Sequence, residues 1–201
     1  MQRATAAIVL AGGRGRRYGG PKAAAVLPDG RTFLAACVST LRAAGARVVV
    51  ATLPPGLIAS LPKRVVPVEL TYRESDQFAS LRRGAAAALA AGPWDVLVVQ
   101  PVDHPLVRSA TVRRLVGIGA QAVVPSYVGR SGHPVVLGRG VVAALVDGSE
   151  PGPTLREVLV RAGAATVDVD DPGVVANCNT PAALASAMEA VDSESEERAR
   201  D

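Results

Sequence analysis

The sequence predicts an α/β fold, one domain with helices on both faces of a mostly parallel sheet, and three observations lead there. Short apolar runs alternate with segments of helical spacing, the order that strand–helix crossover units produce. Several of those runs are continuously Val-rich instead of alternating, as strands covered on both faces are. The length, 201 residues, suits one such core better than two.

Taken in order, the first strand is Ala6 to Leu10, and Thr32 to Ala43 has the composition of a helix that stops before Gly45, a natural C-cap. Arg47 to Thr52 and Val65 to Leu70 follow as strands, then the Ala-rich helix Ala79 to Ala91 and the strand Asp95 to Gln100. Ser109 to Ile118 places Val112, Leu115 and Val116 on one helical face, with the Ser109 hydroxyl positioned to cap its first turn. The strand Ala120 to Pro125 precedes the helices Val141 to Val146 and Thr154 to Arg161, the second of which meets Gly163 as its C-cap. Ala165 to Val169 is the last predicted strand and Pro181 to Val191 the last helix. The domain is therefore expected to span 1–191, and the mixed-charge run 192–201, with no apolar partner, to be a frayed or disordered tail.

Hydrophobic residues make up 49% and charged residues 20%, which excludes a disordered chain. The net charge of +4 raises nucleic acid, an anionic membrane or a phosphorylated small molecule as partners. Distribution decides among them. Arg14, Arg16 and Arg17 crowd one loop, while aromatics are 3% of the chain, too few for base-stacking platforms. A focused anion site is expected, with no nucleic-acid partner and no membrane partner. Cys37 and Cys178 show neither a metal-ligand spacing nor a disulfide framework and read as buried or incidental thiols, not reactive ones. No apolar run has the length of a bilayer span or the flanks of a secretory signal, so the expected location is cytoplasmic.

The chemistry is carried by the segment after the first strand, Leu10-Ala11-Gly12-Gly13-Arg14-Gly15-Arg16-Arg17-Tyr18-Gly19-Gly20-Pro21-Lys22. Glycines let backbone N–H groups turn toward an anion that a Cβ would hold off, arginines offer planar donors to phosphate, and Lys22 adds a point charge. Two familiar glycine loops are excluded. A dinucleotide fingerprint on Gly13 and Gly15 needs glycine where Tyr18 stands and an acidic residue where Thr52 ends the second strand. A P-loop on Gly15 and Gly20 fails at Pro21, and Ala23 replaces the magnesium-binding hydroxyl.

This segment resembles the signature loop of the MobA-like nucleotidyltransferases, in which Leu-Ala-(Ala/Gly)-Gly is followed by Arg-Met-Gly and then Lys. Arg17 and Lys22 take the arginine and lysine positions; Tyr18 stands where methionine is usual and Gly15 where serine is common. Further segments match in the family's order. Val102-Asp103-His104-Pro105 resembles Gly-Asp-x-Pro, and Asn177-Cys178-Asn179-Thr180-Pro181 resembles Asn-x-Asn-Thr-Pro. Gly132-His133-Pro134 is similar to the Gly-His-Pro turn that faces the acceptor. Ser80-Leu81-Arg82 is similar to the stretch near the nucleobase, although Asp76 stands near the glycine expected before it. His104, in the variable slot, is expected to be solvated.

The resemblance implies a single-domain, Rossmann-like three-layer α/β/α fold and a Mg2+-dependent enzyme. It implies transfer of a nucleotidyl group from CTP or GTP to a phosphorylated acceptor, with molybdopterin first among the acceptors and a molybdoenzyme apoprotein as a further partner. It implies Arg17, Lys22 and Asp103 as catalytic residues, and Leu10, Ala11, Gly12, Gly13, Arg14, Gly15 and Ser80 at the nucleotide. It also places His133 at the acceptor, and Asp103 with Asn179 on the metal. The departures at Gly15, Tyr18 and Asp76 leave open a non-catalytic nucleotide-binding regulator of the same fold, or an enzyme for another phosphorylated acceptor.

Overall fold

The strand β1 (Thr5–Leu10) is buried along its whole length, and its alternation divides the core in two. Ala7 and Val9 face one helical layer, whereas Ala6, Ile8 and Leu10 face the other. The computed structural model describes residues 3–13, 15, 18–58, 61–71, 76–148 and 154–200, with the backbone alone for 192 and 195–200. On the Val9 side lie α1 (Phe33–Ala43) and α3 (Ser109–Gly117), packed through Phe33, Leu41, Val112 and Leu115. Opposite them α2 (Gln77–Ala90), α4 (Arg139–Asp147) and α5 (Leu155–Arg161) bury Leu81, Ala85, Leu145 and Val158.

Between the layers, β1 pairs in parallel with both β2 (Ala46–Leu53) and β4 (Val96–Pro101), and β2 with β3 (Val66–Glu69). On the far side β5 (Ala122–Tyr127) pairs in parallel with β8 (Ala165–Asp168). The structure adds two strands that periodicity did not reveal, β6 (Arg130–Ser131) and β7 (Val135–Gly138). Strand β7 lies antiparallel between β4 and β5, and β6 forms a hairpin with β5. The main path of the sheet is β3-β2-β1-β4-β7-β5-β6, with β8 on β5, so the sheet is mixed and largely parallel as expected.

Local caps account for most boundaries. Thr32 and Thr154 cap α1 and α5 by accepting from the backbone N–H of Ala35 and Glu157. Gly45 and Gly163 take positive φ after those helices, as their sequence positions required. Ser109 does not cap α3. It is the first helical residue, and Arg108, the N-cap, offers no side-chain bond; a carboxylate from far along the chain, Asp171, takes the Arg108 N–H instead. The end of the chain also departs from expectation, since α6 (Pro181–Arg200) continues through the run assigned to a frayed tail. Tertiary contacts hold the extension, because Glu194 accepts from the Tyr127 hydroxyl and lies 3.9 Å from the Arg108 guanidinium.

Helix α2 approaches β1 and β2 closely at Gly84, where an added Cβ would lie 3.0 Å from both Ile8 Cγ2 and Thr52 Cγ2. Overpacking such a contact costs about 1–3 kcal/mol. Gly84→Val is therefore expected to lower the thermal midpoint by that equivalent; an unchanged midpoint in a calorimetric scan contradicts the close packing of α2.

Candidate active site

Parallel strands deliver their following loops to one edge of the sheet, and open α/β sheets bind ligands there. Leu10 pairs with Pro101, so the loops leaving β1 and β4 start side by side. They are stitched together as they leave: Val102 N donates to Leu10 O at 3.0 Å, and Ala11 N to Thr52 O at 3.0 Å. Gly12 runs against the elements behind it, where a Cβ would meet Leu70 Cδ1 at 2.3 Å and Ser80 Oγ at 3.2 Å. Gly15 has φ +58, and a Cβ there would lie 1.8 Å from the carbonyl oxygen of Gly20. Its own carbonyl accepts from Tyr18 N at 2.8 Å and Gly20 N at 3.3 Å, which closes the loop on itself. Gly13 is exposed with open space around it. Arg14, Arg16 and Arg17 lie outside the described residues.

The loop ends in a 3-10 turn, Lys22–Ala24, that aims Lys22 across the sheet edge. Its Nζ donates to Asp103 Oδ2 at 2.8 Å and also to Asn179 Oδ1. These partners are 81 and 157 residues away in sequence, and they are joined to each other by Cys178 N donating to Asp103 O at 2.8 Å. The side chains of Lys22 and Asp103 are 18% and 20% exposed, so the pair is shielded beyond an ordinary surface ion pair. Asn179 is not the cap of α6; Thr180 is, accepting from Ala183 N at 3.1 Å. A carboxylate oxygen and an amide oxygen thus converge on one cation at the mouth of the glycine loop. Among the described residues no group of three or more His, Cys, Asp or Glu side chains could hold a metal. A magnesium ion carried by phosphates asks for less, one or two oxygens from the protein, and this donor set fits it.

His104 is 5% exposed, not solvated as its motif position suggested. It is held by a turn, His104 N to Pro101 O at 3.2 Å, and its carbonyl accepts from Gln100 Nε2 at 2.7 Å. Its ring meets His133 edge-on at a centroid distance of 5.0 Å. Burial lowers the pKa of both imidazoles; His133 is pushed down to about 4, by burial first and then by His104, against an opposing pull from Asp103. Both histidines are therefore neutral at neutral pH. His133 also lines a cavity of about 1010 Å³ that Leu10, Phe78, Leu81, Val135 and Leu159 help to wall. Ser80 is buried, with Oγ donating to Asp76 O at 2.9 Å, so it supports Gly12 from behind. Cys37 and Cys178 are buried, and burial raises both thiols, Cys178 to about 11, which leaves neither as a nucleophile at neutral pH.

Residues 7–167 match the model of the MobA-like NTP transferase domain, a span that takes in the glycine loop, Lys22, Asp103 and His133. The chain belongs to the MobA-like NTP transferase family. A molybdenum cofactor guanylyltransferase of Acidiphilium cryptum (strain JF-5) is 33% identical over 192 residues, covering 90% of this chain and 92% of that protein. The crystal structure of Rv0371c from Mycobacterium tuberculosis H37Rv aligns with a TM-score of 0.70 at 27% identity, over 93% of this chain and 98% of that one. A nucleotidyl transferase from Methanothermobacter thermautotroptrophicus shares the fold, with a TM-score of 0.70 at 22% identity over 94% and 96% of the two chains. The MobA-like chain is accordingly a nucleotidyltransferase.

Each departure from the family pattern has a local reason. Only glycine suits position 15 in this conformation, because a side chain would enter the Gly20 carbonyl. Tyr18 packs edge-on against Phe33 at 5.5 Å, which anchors its ring on α1. Asp76 is the N-cap of α2, accepting from Ala79 N at 2.8 Å. Signals for the residues that sequence reasoning missed were weak: Asp76 has the spacing of a cap, whereas nothing local marks His104 as buried.

Because the folded-state pKa of His133 lies below the ordinary 6.5, the unfolded chain binds the extra proton between about pH 4 and 6.5. Its contribution to stability is complete above that window and is lost as the pH falls through it. The thermal midpoint of the native protein is expected to drop more between pH 7 and about 4 than that of His133→Gln. Equal drops in a scanning-fluorimetry series would show that His133 is not held neutral.

Proposed function

We propose that this nucleotidyltransferase moves a guanylyl group from GTP, with CTP as the alternative donor, to a phosphorylated acceptor of the molybdopterin type, releasing pyrophosphate. The carrying observation is the convergence of Lys22, Asp103 and Asn179 at the mouth of the glycine loop. The guanylyltransferase relative at 33% identity supports both the acceptor and the base.

In this reading an acceptor phosphate oxygen attacks the α-phosphorus in line. A new oxygen–phosphorus bond forms as the bond to the bridging oxygen breaks, and pyrophosphate leaves with the electron pair. The acceptor phosphate is already ionised, so the chain needs no general base. Its task is to position both reactants and to neutralise charge. The backbone from Gly12 to Gly15 follows the triphosphate, with Leu10 and Ala11 fixing where that segment leaves the sheet. Lys22 supplies positive charge at the phosphates, and Arg14 and Arg17 are assigned the same task on sequence grounds. Asp103 and Asn179 would hold Mg2+, which when bound screens the phosphate oxygens. Asn179 adds no charge, so affinity rests on Asp103 and the triphosphate. Ser80 supports the nucleotide side through Gly12. The cavity beside Leu10 has the size of a site for a ring-bearing metabolite, and neutral His133 on its wall would hydrogen-bond the acceptor.

Removing one preorganised electrostatic contact typically costs about 3–4 kcal/mol of transition-state stabilisation. Lys22→Ala and Asp103→Ala are each expected to lower turnover about a hundredfold or more with the fold intact by circular dichroism. Near-normal pyrophosphate release from either variant overturns the assignment. With the native protein, a thermal-shift panel of the four ribonucleoside triphosphates and Mg2+ is expected to show the largest rise for GTP, because selective binding stabilises the folded state by mass action. A larger rise with CTP would reassign the donor.

A further inference from the structure

Among the described residues Asp171 is the one buried carboxylate, 1% exposed. A carboxylate is buried at high cost unless donors surround it, and three do. Oδ2 accepts from Arg108 N at 2.9 Å and from Thr111 Oγ1 at 2.6 Å; Oδ1 accepts from Gly173 N at 3.0 Å. One side chain thereby caps two helical segments. Through Oδ2 it caps the start of α3 by taking the N–H of the N-cap residue Arg108 and the hydroxyl of Thr111 in the first turn, and through Oδ1 it caps the 3-10 turn Pro172–Val174.

Both segments adjoin the candidate site. Helix α3 continues directly from the loop that carries Asp103 and His104, and the turn Pro172–Val174 precedes Asn177, Cys178 and Asn179. The turn is wedged between its neighbours. A Cβ on Gly173 would lie 2.6 Å from Leu106 O, and one on Gly132 would lie 2.3 Å from Val174 O. His133 N donates to that same Val174 oxygen at 2.8 Å, and Cys178 N to Asp103 O at 2.8 Å. The Asp103 loop, the His133 turn and the Asn179 loop are thus indexed to one another through residues 171–174.

We propose that Asp171 is a positioning residue for the nucleotidyl transfer: by clamping α3 to the Pro172–Val174 turn, it sets the spacing of Asp103, Asn179 and His133 without touching a ligand. Its effect on turnover rests on the function proposed above, whereas its effect on spacing rests on the hydrogen bonds alone.

The test uses the full chain with Asp171→Asn, which keeps the shape but opposes an amide N–H to a backbone N–H at one of the two caps. Amide hydrogen exchange is measured by NMR, and Mg2+ is titrated against GTP-dependent pyrophosphate release. Losing a hydrogen bond to a charged group changes an equilibrium by about tenfold or more. The amides of His133 and Cys178 are expected to exchange faster by that factor, with Ile8 and Val98 in the sheet changing no more than in Leu145→Ala, a control in the opposite core layer. Half-maximal Mg2+ is expected to rise about tenfold, with the KM for triphosphate at saturating Mg2+ nearly unchanged. Leu145→Ala, although destabilised, is expected to keep the native Mg2+ requirement. Thr111→Val, which removes a single donor, is expected to shift both readouts in the same direction by less, and it serves if Asp171→Asn does not fold.

Unchanged exchange at His133 and Cys178 overturns the proposal whatever the assay shows. Faster exchange with an unchanged Mg2+ requirement reduces Asp171 to a structural cap and also overturns it. If the native protein releases no pyrophosphate with any triphosphate, the functional reading fails, and the exchange arm alone decides whether Asp171 indexes the three loops.

Discussion

The ammonium group of Lys22 gathers three stretches of chain that have no local reason to meet. It lies 2.8 Å from the Asp103 carboxylate and donates to the Asn179 amide, contacts that span 81 and 157 residues. Such a meeting requires parallel strands β1 and β4 to end level, so that the loop after each begins at the same height, and the pairing of Leu10 with Pro101 ensures it. Charge neutralisation in a largely shielded cleft then makes the convergence favourable, where the same pair on an open surface would contribute little. The rest of the sheet can be read as the frame that keeps those two strand ends in register.

Several of the polar groups buried inside the molecule serve that frame. Asp171, Gln100 and His104 are all buried, and each holds or forms part of the turns around Asp103. The two core layers themselves are built mainly from Ala, Val and Leu, joined by Ile8, Phe33, Trp94, Cys37 and Cys178, with small residues where α2 approaches the sheet. A core of this kind sets the distance between layers and leaves directional bonding to the loops.

The segments that make up the candidate site were legible one by one, because each is a local pattern. A glycine-rich segment with Arg and Lys after a first strand has few physical uses besides gripping an anion, and the Asp103 and Asn177–Asn179 segments follow in an order that narrows the family. The departures from the family pattern were legible as departures but not as compensations. That Gly15 answers to the Gly20 carbonyl, Tyr18 to Phe33 and Asp76 to the first turn of α2 depends on neighbours that only the folded chain supplies. The extension of α6 was missed for the same reason, since a charged run gains its anchor at Glu194 from Tyr127 and Arg108.

The sequence by itself determined the α/β class, the six predicted strands and the position of the glycine-rich loop, because hydrophobic periods and turn residues act over a few residues and are written in order. Only the tertiary structure decided that β7 enters the sheet antiparallel between β4 and β5. It alone decided that His104 is buried against His133, and that one carboxylate, Asp171, caps two segments at once. Those outcomes come from contacts between residues far apart along the chain, and no local pattern encodes which distant groups a fold will bring within hydrogen-bonding reach.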